Sequence, residues 1–412
     1  MDSKQRGGHG RWLRGLGIGL ACLGALGFGW RVHSAVRGAL AVEQAPAAPG
    51  QVSGRTELRH ARGFSIEYHP DCKIVRVSCP WPGASRGLTY ILVPRGHRPG
   101  TVVPGAMVVE MPVRRAISLS TVQAPAFLRL GCPGVLVGMA GVPLLNTPEL
   151  VAQARRGALA EISDGRPSMD RRLDMERIRL LAPDLVLANG SGDPALDANG
   201  KLLEAGFKLV FITDWLEETP LGRAEWIKFT AAFLDREAEA EQFFRKVEAD
   251  YQRQAARVRD VADRPTVFSG MDYRGTWHMP GGRSYAARFI QDAGGDYLWK
   301  DDAGSGSIPL KVEAVLARAR DARIWLTYMS AVGSLRAMKE TDDRVTLFRA
   351  FREGQVYTND LKVNAAGGND FWETATLRPD LVLADLIALL HPELGQGHVF
   401  RWFRRLPAEP RP

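Results

Sequence analysis

RAEWIKFTAAFLDREAEAEQFFRKVEADYQRQAARVRDVADR, residues 223–264, contains neither glycine nor proline and stops at Pro265. Trp226, Phe229, Phe233, Ala240, Phe244, Val247, Tyr251, Ala255 and Val258 recur at helical spacing, with Glu, Lys, Arg and Gln between them. That pattern predicts one helix of about 40 residues, several times the usual length of about 10–14. A coiled-coil arm or a bundle helix could use such a length. The heptad is irregular, however, and no second run of this length exists in the chain. A strut joining two domains is the reading preferred.

On both sides of the strut, strand-like and helix-like segments alternate, as α/β domains with mostly parallel sheets require. Before it, residues 113–221 read as strands near 115–120, 134–139, 184–188 and 208–213, with helices between them. After Pro265, residues 265–412 restart the pattern with strands near 266–269, 323–327 and 355–358. Helices are expected over 284–293, 310–319 and 335–352, with a last one from Pro379. LDMERIRLLAPDLVLA and LKVEAVLARARDARIWL echo each other, with Leu173, Glu176 and Asp184 at the same offsets as Leu310, Glu313 and Asp321. The hexapeptide PDLVLA occurs twice. At 183–188 it follows a helix and reads as strand, whereas at 379–384 it runs into DLIALL and Pro379 begins a helix. Residues 57–112 hold short β segments, FSIEY, CKIVRVS and LTYILV, between Pro/Gly turns. The fold expected is two α/β lobes joined by one long rigid helix (222–264), with an N-terminal β-rich extension.

The 412 residues, 45% hydrophobic and 24% charged, suit a globular chain of two or more domains. Of the formal charge of +8, +5 falls within residues 1–41, leaving +3 spread over the rest. No basic stripe exists, so no nucleic-acid partner is expected. Residues 1–14 are basic and 15–30 apolar, and Ala39-Leu40-Ala41 is a small-x-small site, which reads as a signal for export to the periplasm. Retention of residues 1–41 as an anchor is the alternative. Lipidation at Cys22 is disfavoured by the lack of a leucine three positions before it. Residues 42–56 are a small-residue linker. Cys72 and Cys79 flank a strand and could pair in an oxidising compartment; the other reading is that they are small buried residues. The cysteines have no zinc spacing, and the 8 histidines contain no HExxH, so no metal ligands or resident cofactor are expected. GSGSI at 304–308 has the wrong form for a nucleophile elbow, which leaves an exported hydrolase as a minor alternative.

The combination of MERIRLLAPDLVLA, LGRAEWIKFTAAFLDREAEAEQFF, the long Pro-ended helix and a Glu-bearing second lobe resembles the solute-binding proteins of ABC importers. The matching class takes up iron–siderophore complexes, haem and cobalamin, and the match spans about Arg114 to Leu394. The resemblance implies no enzymatic activity and a ligand held between two lobes that move little. Its implied partners are a membrane permease and a small-molecule metal chelate, bound by what is expected to be a monomer. Glu176 and Glu313, one on each lobe, match the glutamates that dock on permease arginines.

In open α/β lobes, ligands lie beyond the carboxyl ends of the strands. The loops there supply Thr121, Gln123, Asn189-Gly190-Ser191-Gly192 and Asp214-Trp215 from the first lobe. The second supplies 270–279 with Tyr273, Arg274, Trp277 and His278, then Thr327-Tyr328-Met329-Ser330, Asn359 to Lys362, and Gly367 to Trp372. The ligand-binding set expected is Thr121, Gln123, Trp215, Tyr273, Arg274, Trp277, Tyr328, Lys362, Asn369 and Trp372. Its aromatic faces suit a planar or macrocyclic ligand and its cations a net negative charge. A ferric siderophore ranks first, with cobalamin or haem as alternatives; Tyr273, His278 and Tyr328 are the candidate axial ligands for haem.

Overall fold

The structure, a computed structural model, describes residues 55–164, 172–190, 199–328 and 332–409. The export signal and the linker as far as residue 54 lie outside the described residues, as do Ser191, Gly192, Met329 and Ser330. Among the described residues, no helix is long and apolar enough to cross a membrane.

The extension forms one four-stranded sheet: β1 (Phe64–Tyr68), β2 (Lys73–Val77), β3 (Leu88–Pro94) and β4 (Met107–Met111). The first three pair antiparallel, while β4, which the sequence reading did not expect, runs parallel to β3. Alternation sorts its side chains. Val75, Val77, Tyr90 and Leu92 join the main core, whereas Ile74, Ile91 and Val93 close a small cluster with Cys72 and Ala106 on the other face. Cys72 and Cys79 are both free thiols, so the considered pairing does not occur. Burial, helped by Asp71, pushes the Cys72 thiol up to about 11.

The N-terminal lobe follows in strict alternation: β5 (Ala116–Ser118), α1 (Ala124–Arg129), β6 (Leu136–Met139), α2 (Pro148–Arg155), β7 (Ala160–Glu161), α3 (Met175–Leu181), β8 (Leu185–Ala188), α4 (Asn199–Glu204) and β9 (Leu209–Phe211). Its sheet is parallel throughout, in the order β7-β6-β5-β8-β9. Ile117, Val186 and Leu209 bury one face, and Ala116, Leu185, Leu187 and Val210 the other, as a sheet covered on both sides demands.

The connection is not one helix of about 40 residues. It divides into α5 (Pro220–Glu225), α6 (Ile227–Leu234) and α7 (Glu237–Ala256). The main break is at Asp235, which has φ 56 and caps α6. Aspartate is among the few non-glycine residues that visit the left-handed region, so the absence of Gly and Pro did not exclude a break here. Tertiary contacts supply the reason. All of α6 is buried, with Phe229 and Phe233 packed against Phe64 and Tyr90 of the extension, and α6 folds back on α7. The rod that remains is α7, 20 residues and about 30 Å long.

Buried charges fasten the extension to this connection. The Glu225 carboxylate accepts from the backbone N–H groups of Arg59 (3.0 Å), His60 (2.7 Å) and Ala61 (2.8 Å). Lys228 donates to Glu225 (2.9 Å) and to the Glu57 carbonyl (2.6 Å), and pairs with Glu241 (2.8 Å). Glu217 receives the N–H groups of Arg62 and Gly63 and the Trp226 indole. Gly63 must be glycine, because a Cβ there would lie 2.8 Å from the Trp226 ring. Burial alone would raise Glu225 and Glu241. The Ala61 N–H and the Lys228 ammonium outweigh it at Glu225, and Lys228 carries Glu241 down to about 2. Both folded-state values lie below the unfolded one. Their stabilisation is therefore present above pH about 4.5 and lost as pH falls towards 2. Circular dichroism against pH should show that loss, and Glu241→Gln should flatten its slope.

The C-terminal lobe holds β10 (Thr266–Ser269), β11 (Asp272–Tyr273), β12 (Thr276–Pro280), α8 (Tyr285–Asp292), β13 (Asp296–Tyr297), β14 (Ser307–Leu310), α9 (Val312–Ala319), β15 (Ile324–Thr327), α10 (Leu335–Thr341), α11 (Arg349–Arg352), β16 (Val356–Thr358), α12 (Asp370–Thr374), α13 (Pro379–Leu390) and β17 (Arg404–Arg405). The main sheet runs β13-β10-β15-β16-β17, with only β17 antiparallel, and β11-β12-β14 form a separate antiparallel sheet. The two copies of PDLVLA end as strand β8 and helix α13, as their contexts predict. Three expectations need correction. The helix expected over 335–352 is interrupted by a 3-10 turn at Asp343–Leu347, entered through Asp342, whose side chain caps it. The loop expected at 270–279 is the β11–β12 hairpin. Residues 370–374, expected as loop, are helical and capped by Asn369.

Candidate ligand-binding site between the lobes

Strand ends of the N-terminal lobe are tied together by neutral side chains. The Ser118 hydroxyl, at the end of β5, donates to Gln123 Oε1 (2.6 Å), and Gln123 Nε2 donates to Asn189 Oδ1 (2.6 Å) beyond β8. Thr121 is half-buried on the 3-10 turn that carries Gln123, which Ser120 caps. Beyond β9, a second 3-10 turn holds Trp215, half-buried, and Asp214, buried. The Asp214 carboxylate accepts from Arg223 Nε (3.2 Å) and Nη2 (2.8 Å).

In the C-terminal lobe, Tyr328 follows β15, and Asn359 and Asp360 follow β16. The Tyr328 ring packs 6.1 Å from Phe371, 6.4 Å from Trp372 and 6.5 Å from Phe403. Burial, and then the Tyr285 phenol, push the Tyr328 hydroxyl well above its ordinary range. A phenolate, the form an axial metal ligand needs, is disfavoured there.

Two sets of contacts bring the lobes together. Along one edge, α12 packs against the Thr121–Gln123 turn. Its buried Glu373 accepts from the backbone N–H groups of Asn146 (2.6 Å) and Thr147 (2.9 Å), and Asn364 Nδ2 donates to the carbonyls of Pro143 (3.1 Å) and Leu145 (3.0 Å). The backbones meet so closely at Gly368 that a Cβ would lie 2.0 Å from the Leu144 carbonyl. At the other point, Arg223 reaches Thr376 (3.3 Å) and stacks 4.1 Å over the Tyr285 ring. Asp214, Arg223, Tyr285, Tyr328 and Trp372 thus form a continuous chain of neighbours across the seam.

The structure brings Thr121, Gln123, Tyr328, Asn369 and Trp372 to this seam, with Trp215 beside Asp214. It places others elsewhere. Trp277 is a core residue, 1% exposed, with its indole N–H on the Ser269 carbonyl (2.9 Å) and its ring against Phe268, Trp325 and Phe348. It has no free face for a ligand, because its position on β12 turns it under the main sheet. Tyr273 and Arg274 occupy the hairpin tip, where Arg274 is exposed at φ 54 and sits over its own neighbour's ring at 5.2 Å. Asp272 of that hairpin acts on Arg344, the partner of Glu313, so the tip belongs to that surface. Lys362 is exposed, 3.9 Å from Asp370. Sequence reasoning missed Arg223, Tyr285, Asn364 and Glu373. All sit in or beside helical patterns, and only the approach of the two lobes distinguishes them from surface or core residues.

A family profile described as periplasmic binding protein matches residues 117–361. An uncharacterized lipoprotein of Methanocaldococcus jannaschii is 32% identical over 212 residues, 51% of this chain; the chain spans about half of that protein, 48%. The fold is similar to that of an ABC transporter substrate-binding protein from Listeria monocytogenes (TM-score 0.52, 22% identity, covering 68% of this chain and 99% of that one). It is also similar to that of IsdE from S. aureus, solved in complex with haem (TM-score 0.51, 18% identity, 67% and 98%).

Proposed function

The chain belongs to the periplasmic binding protein family, and from that premise we propose that it captures a metal chelate between its lobes and delivers it to the permease of an ABC importer. As a member it is a solute-binding protein and not an enzyme. The observation that carries the reading is the seam itself. Two parallel sheets point their carboxyl ends at a shared set of aromatic and polar side chains, with no nucleophile–base pair among them.

A ferric siderophore is the first candidate ligand. It arrives already coordinated and needs shape, stacking and hydrogen bonds rather than metal ligands. Haem ranks lower, since Tyr328 resists ionisation and Tyr273 and His278 lie on the β11–β12 hairpin. Cobalamin stays as the alternative within the class. The protein works as a monomer outside the cytoplasm, and the lipoprotein relative supports a membrane-tethered N-terminus. Glu176 and Glu313 occupy the first turns of α3 and α9, with side chains 82% and 75% exposed, and are the proposed permease-docking pair.

Titrating the purified protein with ferric siderophores, haem and cobalamin tests the reading through tryptophan fluorescence. Saturable quenching by one chelate, without turnover, is the expected result. Tight binding of a free divalent metal with no chelate bound would overturn it.

A further inference from the structure

Five buried side-chain atoms without a hydrogen-bond partner fall at the ends of the parallel strands or on α12: Thr213 Oγ1, Thr327 Oγ1, both amide atoms of Asn359, and Trp372 Nε1. These residues are 1%, 0%, 0% and 9% exposed, so bulk solvent does not reach them in this arrangement of the lobes. Thr327 and Thr358 are partners in the β15–β16 register, which makes Tyr328 and Asn359 leave the sheet side by side. The Tyr328 ring in turn touches Trp372. Two of the orphaned groups elsewhere, on Glu237 and His391, differ in kind. The unpartnered oxygen of Glu237 belongs to a carboxylate whose other oxygen holds Lys73, and His391 keeps Glu393 near its other nitrogen. Asn359 has nothing at either end of its amide.

A buried amide left unpaired lowers stability and asks for an explanation. Every orphan at the seam is neutral. The charges beside them are already matched: Arg223 by Asp214, Arg404 by Asp360 in a two-pronged pair at 2.6 and 2.9 Å, and Lys362 by Asp370. A polyanionic ligand would find no unmatched cation among these groups.

We propose that Asn359 and Trp372 are specificity residues that receive a neutral, amide-bearing part of the ligand. A carbonyl or hydroxamate oxygen would accept from Asn359 Nδ2 and Trp372 Nε1, and an amide N–H would donate to Asn359 Oδ1. The chelate class is therefore uncharged and rich in amides, in place of the net negative ligand that the sequence suggests. This deepens the binding reading above and rests on it.

The test is calorimetric titration of the full chain with four probes. Ferrichrome and cyanocobalamin are neutral and amide-bearing, ferric dicitrate is anionic and lacks amides, and haem is a dicarboxylate macrocycle. One of the two neutral chelates should bind, and which one identifies its source. Asn359→Leu should weaken it at least tenfold, and Trp372→Phe, which keeps the ring, several-fold. Removing an orphaned amide should leave the Tm of the unloaded Asn359→Leu protein unchanged or raised. Full affinity in Asn359→Leu, a Tm lowered by several degrees, or failure of that variant to fold would each overturn the proposal. Tight binding of ferric dicitrate or haem alone would overturn it and leave the transport reading standing. Binding of none of the four would sink both.

Discussion

Alanine at Glu225 is expected to lower stability by about 3–5 kcal/mol, read as a fall in the denaturant midpoint with an unchanged slope. The carboxylate is fully buried and collects three consecutive backbone N–H groups, of Arg59, His60 and Ala61, besides the Lys228 ammonium. Truncation orphans those donors and leaves a fully buried lysine with Glu241 as its remaining anionic partner. Glu225→Gln keeps the shape and one acceptor, so its loss should be smaller. Hydrogen exchange at residues 59–61 should accelerate in both variants. An unchanged midpoint in the alanine variant would mean that the extension is not fastened through this residue.

Exchanging Glu176 and Glu313 together for alanine should abolish uptake by cells while leaving chelate affinity and Tm as they were. Each glutamate is exposed on a helix first turn. Among the described residues each pairs with a surface arginine alone, Arg179 at 2.8 Å or Arg344 at 3.7 Å. Such exposed pairs contribute roughly 0–1 kcal/mol, so the fold should not register their removal. Their proposed use is to orient the two lobes on a cationic partner, where complementary charge governs encounter and register. Single variants should retain part of the transport, because one lobe still docks. Normal uptake by the double variant would refute the assignment.

Much of the fold was legible in the sequence because its signals are local. Strand β8 and helix α13 share PDLVLA, and the flanking residues alone separate them: a preceding helix and a following NG in one case, an apolar continuation in the other. The alternation of strands and helices in both lobes, and the paired glutamates of α3 and α9, likewise follow from periodicity and spacing over a dozen residues. The connecting element was legible in its composition but not in its continuity. Asp235 reads as an ordinary helix-surface residue until Phe229 and Phe233 are required to reach Phe64 and Tyr90, and only that packing turns the chain.

The candidate site divides in the same way. Thr121, Gln123, Tyr328, Asn369 and Trp372 could be anticipated because strand ends can be found from a sequence, and loops beyond them converge in this architecture. Trp277 could not be separated from them, since an aromatic in a strand-end segment looks the same whether it faces a cleft or a core. Arg223, Tyr285 and Glu373 carried no local signal, because their roles depend on partners more than 60 residues away or on the opposite lobe. The sequence by itself determined which segments become strands, helices and ends. Tertiary structure decided which polar groups are matched and which, such as Asn359, are left waiting, because hydrogen-bond satisfaction is a property of three-dimensional neighbours and not of chain order.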